Sequence, residues 1–204
     1  MRERILRVAT ELIAERGISG TSLDRIASGV GIRKPSLLYH FPSKAALHRA
    51  VIDELLARWR DVIPRLLKTG ATGWERFDAV LNEVEAFFSS DPSRARVLLR
   101  ELIDPFEGNA SRFDHYLAPW VSLTAAYVQR GKDEGTMRGD VDPEAYVLLM
   151  VQTIVANFAV AGAIGGPLDN NGYRQRLKRE LRRIAQTALF RSTPEDTSGE
   201  PDNG

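Results

Sequence analysis

The sequence predicts an all-α protein of about nine helices, divided into a small basic N-terminal module and a larger helical body. Three observations carry that expectation. Apolar residues recur at three- and four-residue intervals along most of the chain. Sustained alternation and Asn-Gly hairpins between β-branched runs, the marks of strands, are absent. Capping residues stand just ahead of the periodic runs, and Gly or Pro just after them.

Taken in order, Ile5, Leu6, Ala9, Leu12 and Ile13 form the stripe of a first helix, which Gly17 is placed to end. In "TSLD", Thr21 can cap a second helix, while Asp24 reaches back or meets the positive helix end. Gly29 and Gly31 keep this helix short. A third short helix covers roughly residues 34–41. Pro42 and Ser43 start a fourth, with Leu47, Val51, Leu55 and Trp59 at four-residue spacing; Pro64 and "KTGATG" close it. Thr72 and Glu75 form a capping pair ahead of Trp74, Phe77, Leu81, Val84 and Phe88. Asp91 caps the next helix with Pro92 at its first position, where a missing N–H costs nothing. That helix runs to Asp104-Pro105. Phe113, Tyr116, Trp120, Leu123 and Tyr127 continue at helical spacing, and Pro119 should kink or split the element. Asp142-Pro143 opens a long helix over residues 143–164, and the last helix spans about residues 173–190. Residues 193–204 hold four acids and no apolar side chain, the composition of a disordered tail.

The chain's net charge of +1 hides a split. Residues 1–60 carry eleven Lys/Arg against six Asp/Glu, a local +5, which leaves −4 for the remainder. Such asymmetry points to a polyanion partner for the N-terminal part. Zero cysteines exclude disulfides, zinc-thiolate sites and thiol nucleophiles. The start, "MRERILRVATELIAERG", contains Glu3, Glu11 and Glu15 and so lacks the apolar core of a secretory signal. No run approaches the ~18 apolar residues of a membrane span. The expectation is a cytoplasmic protein with no membrane partner.

Two short helices joined by a glycine-bearing turn form a helix-turn-helix, whose second helix enters the DNA major groove. Ala27 is small enough for close packing, and Gly31, four residues later, can adopt the left-handed backbone of a sharp turn. On the third helix Leu37, Leu38 and Phe41 fall on the side that must be buried; Pro35, Ser36, Tyr39 and His40 fall opposite. Pro35 fixes the helix start and offers a compact apolar surface to the groove. Arg33 and Lys34 can reach guanine edges or flanking phosphates. Lys44, in the first turn of the fourth helix, can hold a phosphate together with free N–H groups there, and Thr21 or Ser22 can do the same at the second helix.

The segment "GTSLDRIASGVGIRKPSLLYHFPSKAAL", residues 20–47, resembles the DNA-binding domain of TetR-family transcriptional regulators, with the Ile-Ala, the turn glycine and His-Phe-x-Ser-Lys-x-x-Leu in register. "DEGTMRGDVDPEAY", residues 133–146, is similar to the link many members have before their dimerisation helices. The resemblance implies an all-helical homodimer with a small-molecule pocket whose occupancy controls DNA affinity, repression being the usual mode. It divides the chain into residues 1–46, the DNA-binding domain with its helix-turn-helix at about 22–41, residues 47–192, the ligand-binding and dimerisation domain, and the tail. One position departs from the family pattern: Leu38 stands where a tyrosine is usual, and Tyr39 is its neighbour.

The helix over residues 143–164 is apolar around most of its circumference, too much for a helix with one side in water. With the helix over 173–190 it is expected to pair with a second copy in a four-helix bundle. The Arg/Lys-rich side of that last helix reads as solvated or paired with the acidic tail. Candidate ligand-binding residues are Phe88, Tyr116, Trp120 and Phe158 for an aromatic cavity, with Gln152 and Asn157 as polar amides that need partners inside an apolar helix. No compound is named by these residues. An enzyme is disfavoured: nucleophile-elbow, phosphate-loop and His-Glu-x-x-His patterns are absent, and His40, His48 and His115 lie far apart. Neither metal nor cofactor is expected. The remaining rival is a helical adaptor without DNA affinity, against which Arg33, Lys34 and Lys44 stand.

Overall fold

A computed structural model describes residues 1–67, 73–104, 106, 110–160 and 171–191. Among the described residues the fold is all-α. The elements are α1 (Arg2–Arg16), α2 (Leu23–Val30), α3 (Lys34–His40), α4 (Lys44–Leu67), α5 (Gly73–Ser90), α6 (Ser93–Ile103), α7 (Ala110–Asp133), α8 (Pro143–Val160) and α9 (Asn171–Leu189). The acidic tail, residues 193–204, lies outside the described residues.

Local chemistry sets four of the helix starts. Asp142 accepts a hydrogen bond from the Ala145 N–H at 2.8 Å, so α8 begins with Pro143 as expected. Ser43 accepts from the Ala46 N–H at 3.0 Å and caps α4. Asp91 accepts from the Ser93 N–H at 3.0 Å, but Pro92 sits one residue ahead of α6 rather than inside it. The cap of α2 is Ser22, not Thr21: the Ser22 Oγ accepts from the Arg25 N–H at 3.2 Å. Two prolines expected to interrupt helices do not. α4 continues past Pro64 to Leu67, and α7 runs through Pro119 unsplit. Each proline removes one ladder bond, and packing against neighbours over 24 residues outweighs that loss.

α1 packs on α2, α4 and α6; α8 packs on α5, α6 and α7; α4 packs on α5 and α7. One core therefore runs from Ile5, Ile26 and Leu37 at one end to Phe88, Leu98 and Ile154 at the other. Helices α1 and α2 approach so closely at Gly29 that a Cβ there would come within 2.9 Å of a Val8 methyl carbon. α6 bridges the two ends. Its Arg100 donates to the carbonyls of Ala14 (3.3 Å) and Glu15 (3.5 Å), covering the C-terminal end of α1. Its Glu101 carboxylate meets the His48 Nε2 of α4 at 3.2 Å, with both side chains buried.

Two expectations about the body are corrected. The chain does contain a stretch long and apolar enough, by length and composition, to cross a membrane: α8. In the fold that helix lies against α5, α6 and α7, while Leu148, Leu149 and Val160 stay exposed. The basic side of α9 is not merely solvated. Arg182 binds Asp78 (2.7 Å), Asn82 (2.7 Å) and both oxygens of Glu85 (2.8 and 2.9 Å), and Lys178 reaches Glu85 at 2.7 Å. Glu85 is buried on α5, so two cations from a helix about a hundred positions later meet its charge. Desolvation pulls the Arg182 pKa down, but hydrogen bonds to Glu85 and Asp78 and their negative charges together hold its guanidinium above the ordinary value.

Removing one side of a buried pair strands the other. Glu85→Ala should lower unfolding free energy by about 2 kcal/mol, less than for a fully buried pair because Arg182 is partly solvated. Urea denaturation with an unchanged slope is the check; a loss within experimental error would show that the α5–α9 clamp contributes nothing.

Candidate nucleic-acid interface

The turn between α2 and α3 follows from one glycine. Gly31 has φ 77° and ψ 33°, the left-handed region that costs a side chain energy. Its N–H donates to the Ser28 carbonyl at 3.0 Å, and the Ile32 N–H donates to the Ala27 carbonyl at 3.0 Å. This is the Schellman pattern, which satisfies the last carbonyls of α2 while reversing the chain. Ala27 is buried, as close packing requires. Arg33 is extended, and α3 starts at Lys34 with Pro35 in its first turn.

Seven residues then suffice to separate inside from outside. Leu37 is 0% exposed and anchors α3 to the core; Tyr39 is 87% exposed. Phe41 is buried just past the helix end, under the Arg2 guanidinium at 5.2 Å. Leu38 is half-buried rather than fully inside. Arg33, Lys34, Pro35 and Ser36 are all exposed, so the expected outward face exists as a continuous patch. His40 is half-buried with its ring edge-on to Tyr39, centroids 5.4 Å apart.

Two positions behave differently from expectation. Thr21 is only 1% exposed, and its hydroxyl is directed at the carbonyls of Gly17 (2.8 Å) and Leu12 (3.2 Å). It ties the α1–α2 turn to α1 and has no group left for a phosphate. Ser22 takes the surface place, capping α2 with its hydroxyl hydrogen still able to donate. Lys34 is paired: its Nζ lies 2.8 Å from Asp24 on α2, the residue expected to serve the helix end. Both are solvent-exposed, so the pair is weak and can open toward a phosphate. Its ten-residue separation belongs to no local motif, which is why sequence spacing missed it. Lys44 Nζ lies 3.4 Å from the Ser19 carbonyl, on the same side as the α1–α2 turn.

The body holds a separate cavity of about 90 Å3 among α4, α5, α6, α7 and α8. Phe88 and Trp120 line it, together with Leu56, Leu98, Tyr146 and Met150 among others. Three of the other expected ligand residues, Phe158, Gln152 and Asn157, do not. Phe158 packs on the Phe88 ring, 5.6 Å away, without lining the cavity. Gln152 is exposed on the surface of α8. Asn157 answers its own need locally, donating to the Thr153 carbonyl at 2.8 Å one turn back. The Tyr116 side chain lies outside the described residues. Tyr146 donates its hydroxyl hydrogen to the Ala185 carbonyl at 2.8 Å, and burial pushes its phenol pKa up. The Trp120 indole N–H is buried with no acceptor among the described residues.

Residues 5–51 match the family model described as "Bacterial regulatory proteins, tetR family". The HTH-type transcriptional repressor KstR2 of Mycobacterium tuberculosis is 41% identical over 152 residues, covering 69% of this chain and 71% of that one. The HTH-type transcriptional regulator EthR of the same species is 24% identical over 168 residues, covering 76% and 74%. A solved structure titled as the ketosteroid transcriptional regulator KstR2 superposes with TM-score 0.74 over 94% of this chain and 95% of that one. Identity along that structural pairing, which matches residues by position, is 19%, so it speaks for the fold alone.

The burial of Thr21 separates structure from contact. Thr21→Val should cost about 1–2 kcal/mol of stability in urea, since two carbonyls lose their donor. DNA affinity of the folded fraction, read by fluorescence anisotropy, should stay unchanged; a direct loss of affinity would return Thr21 to the contact surface.

Proposed function

The chain belongs to the tetR family of bacterial regulatory proteins and is a ligand-responsive, helix-turn-helix repressor of transcription; from that premise we propose how its parts divide the work. A homodimer binds an inverted-repeat operator in double-stranded DNA, with the α3 helix of each copy in a major groove and the two about 34 Å apart. One observation carries the reading: α3 buries Leu37 completely and turns Tyr39 outward at 87% exposure. An exposed tyrosine of that degree, flanked by Arg33, Lys34, Pro35 and Ser36, is a surface shaped for another molecule rather than for the core.

The roles follow from chemistry. Arg33 and Lys34 pair with guanine edges or phosphates, Pro35, Ser36, Tyr39 and His40 touch base edges and thymine methyls, and Ser22 and Lys44 hold phosphates. Tyr39 supplies the hydroxyl that Leu38 cannot. Ala27 and Gly31 set the angle at which all of these arrive. The DNA-binding domain corresponds to residues 1–46 and the ligand-binding and dimerisation domain to residues 47–192. The protein works in the cytoplasm, needs no cofactor, and catalyses no reaction.

Dimerisation runs through α8 and α9. Leu149 (61% exposed), Leu148 and Val160 on α8 and Ile184 on α9 leave apolar surface that a second copy would cover. The small-molecule effector sits in the cavity lined by Phe88 and Trp120.

Selection of bound fragments from genomic DNA should yield a pseudo-palindrome, and the test variants are then measured on it. Arg33→Ala should weaken binding about ten-fold and lower the salt dependence by roughly one counterion. Tyr39→Ala should weaken it without changing the salt dependence. Operator affinity untouched by both substitutions would remove α3 as the reading element. For the dimer, Leu149→Glu should convert the protein to monomer in sedimentation velocity while the fold persists, because the residue is exposed in the single chain. A dimer that survives this change would move the interface elsewhere.

A further inference from the structure

We propose that the DNA footprint extends beyond the helix-turn-helix onto α1, where Arg4 grips a backbone phosphate of the operator beside the α2–α3 turn. This rests on the reading of α3 as the helix in the major groove and adds a contact from a different element.

Arg4 reaches the turn because α1 and α2 pack side by side. A Cβ added to Gly29 of α2 would meet a Val8 methyl carbon of α1 at 2.9 Å. One turn back along α1 from Val8, on the same face, stands Arg4. That step carries it past the end of α2: a Cβ added to Gly31 would lie 4.0 Å from an Arg4 guanidinium nitrogen. Gly31 is the exposed, left-handed residue of the turn, and Arg33 and Lys34 follow two and three positions later. Arg4 is itself exposed. A cation from the first turn of α1 thus borders the patch formed by Arg33, Lys34, Pro35 and Ser36.

The neighbouring cations are already occupied, and Arg4 is not. Arg7 pairs with Glu11 at 2.8 Å, and the Arg2 guanidinium lies over the Phe41 ring at 5.2 Å. Asp24, the acid of α2, faces Lys34 at 2.8 Å. Arg4 has neither ion pair nor hydrogen bond from its side chain among the described residues. Capping α2 is not its task either, because the Ser28 and Ala27 carbonyls accept from the Gly31 and Ile32 N–H groups. A guanidinium offers paired donors that match the free oxygens of a phosphodiester. α1 packs on α2, and Arg4 stands at the rim of the outward face of α3, where the sugar-phosphate edge of the groove is met before any base. A contact of this kind adds affinity and fixes position without reading sequence.

Fluorescence anisotropy on the selected operator and on a scrambled duplex, each across a range of salt concentrations, tests the contact. Arg4→Ala should weaken both duplexes by the same factor, about five-fold, and lower the salt slope by roughly one counterion. Its urea midpoint should match the wild type, because the side chain is exposed and unpaired, so the loss is one of binding and not of folding. Arg4→Lys keeps the charge; it should retain the slope and lose less affinity than Arg4→Ala. Arg7→Ala removes the same charge from the same helix and should stay within about two-fold, reporting the diffuse effect of net charge. Arg4→Ala no weaker than Arg7→Ala, or an unchanged salt slope, would overturn the proposal. So would a loss confined to the operator, which would make Arg4 a reader of bases. Arg33→Ala and Tyr39→Ala on the same duplexes keep the two readings apart. Losses in those two with none in Arg4→Ala would remove this contact and leave α3 in the groove; a loss in Arg4→Ala with none in the other two would do the reverse.

Discussion

The arrangement of the molecule depends on one buried polar contact, between His48 on α4 and Glu101 on α6. Both side chains are almost fully removed from solvent, so neither can lose the other cheaply. Glu101 also accepts from the Phe106 N–H at 3.2 Å, and the Phe106 ring stands edge-on to His48 at 5.1 Å. A specific polar pair in an apolar setting has few alternative geometries, which is what fixes α6 against α4. One residue earlier, Arg100 fixes the same helix to the end of α1.

That placement gives α6 contact with both ends of the protein. Leu98 and Leu102 line the cavity, while Arg100 and Glu101 hold α1 and α4. On the proposed reading, an effector that pushed these leucines aside would press on the helix that α1 packs against. Close-packed protein interiors tend to transmit such shifts instead of absorbing them. Opposing rigidity comes from the other side of the cavity, where Arg182 and Lys178 of α9 bind Glu85 on α5. The cavity thus lies between a helix held to α1 and α4 and a wall clamped by charge.

Much of the proposed DNA-reading surface was legible from residue order because its geometry is local. Gly31 sits four residues after Ala27, and the turn closes through bonds that span only those few positions. Leu37 and Tyr39 are two apart on a helix, so burying the first turns the second outward whatever the rest of the chain does. The pattern was less able to choose between adjacent candidates. Thr21 and Ser22 are both good caps, and only the packing of the turn on α1 shows that Thr21 is drawn inward toward the Leu12 carbonyl. Amides at Gln152 and Asn157 were read as inward-facing because α8 is apolar nearly all round. Such a helix has no strong stripe to say which side faces in, and the exposed side proved to hold leucines as well as Gln152, with Asn157 half-buried.

By itself, the sequence determined the helical class, several helix starts, the turn and the outward face of α3. Each rests on interactions within about five residues, where spacing and residue type leave few alternatives. Tertiary structure alone decided the partners that lie far apart in the chain: His48 with Glu101, Arg182 with Glu85, Arg100 with the end of α1. It also decided which aromatic rings surround a cavity and which merely stack, and it left the Trp120 N–H without an acceptor among the described residues. Charge and periodicity carry no information about such pairings, because they arise only when helices cross and water is excluded between them.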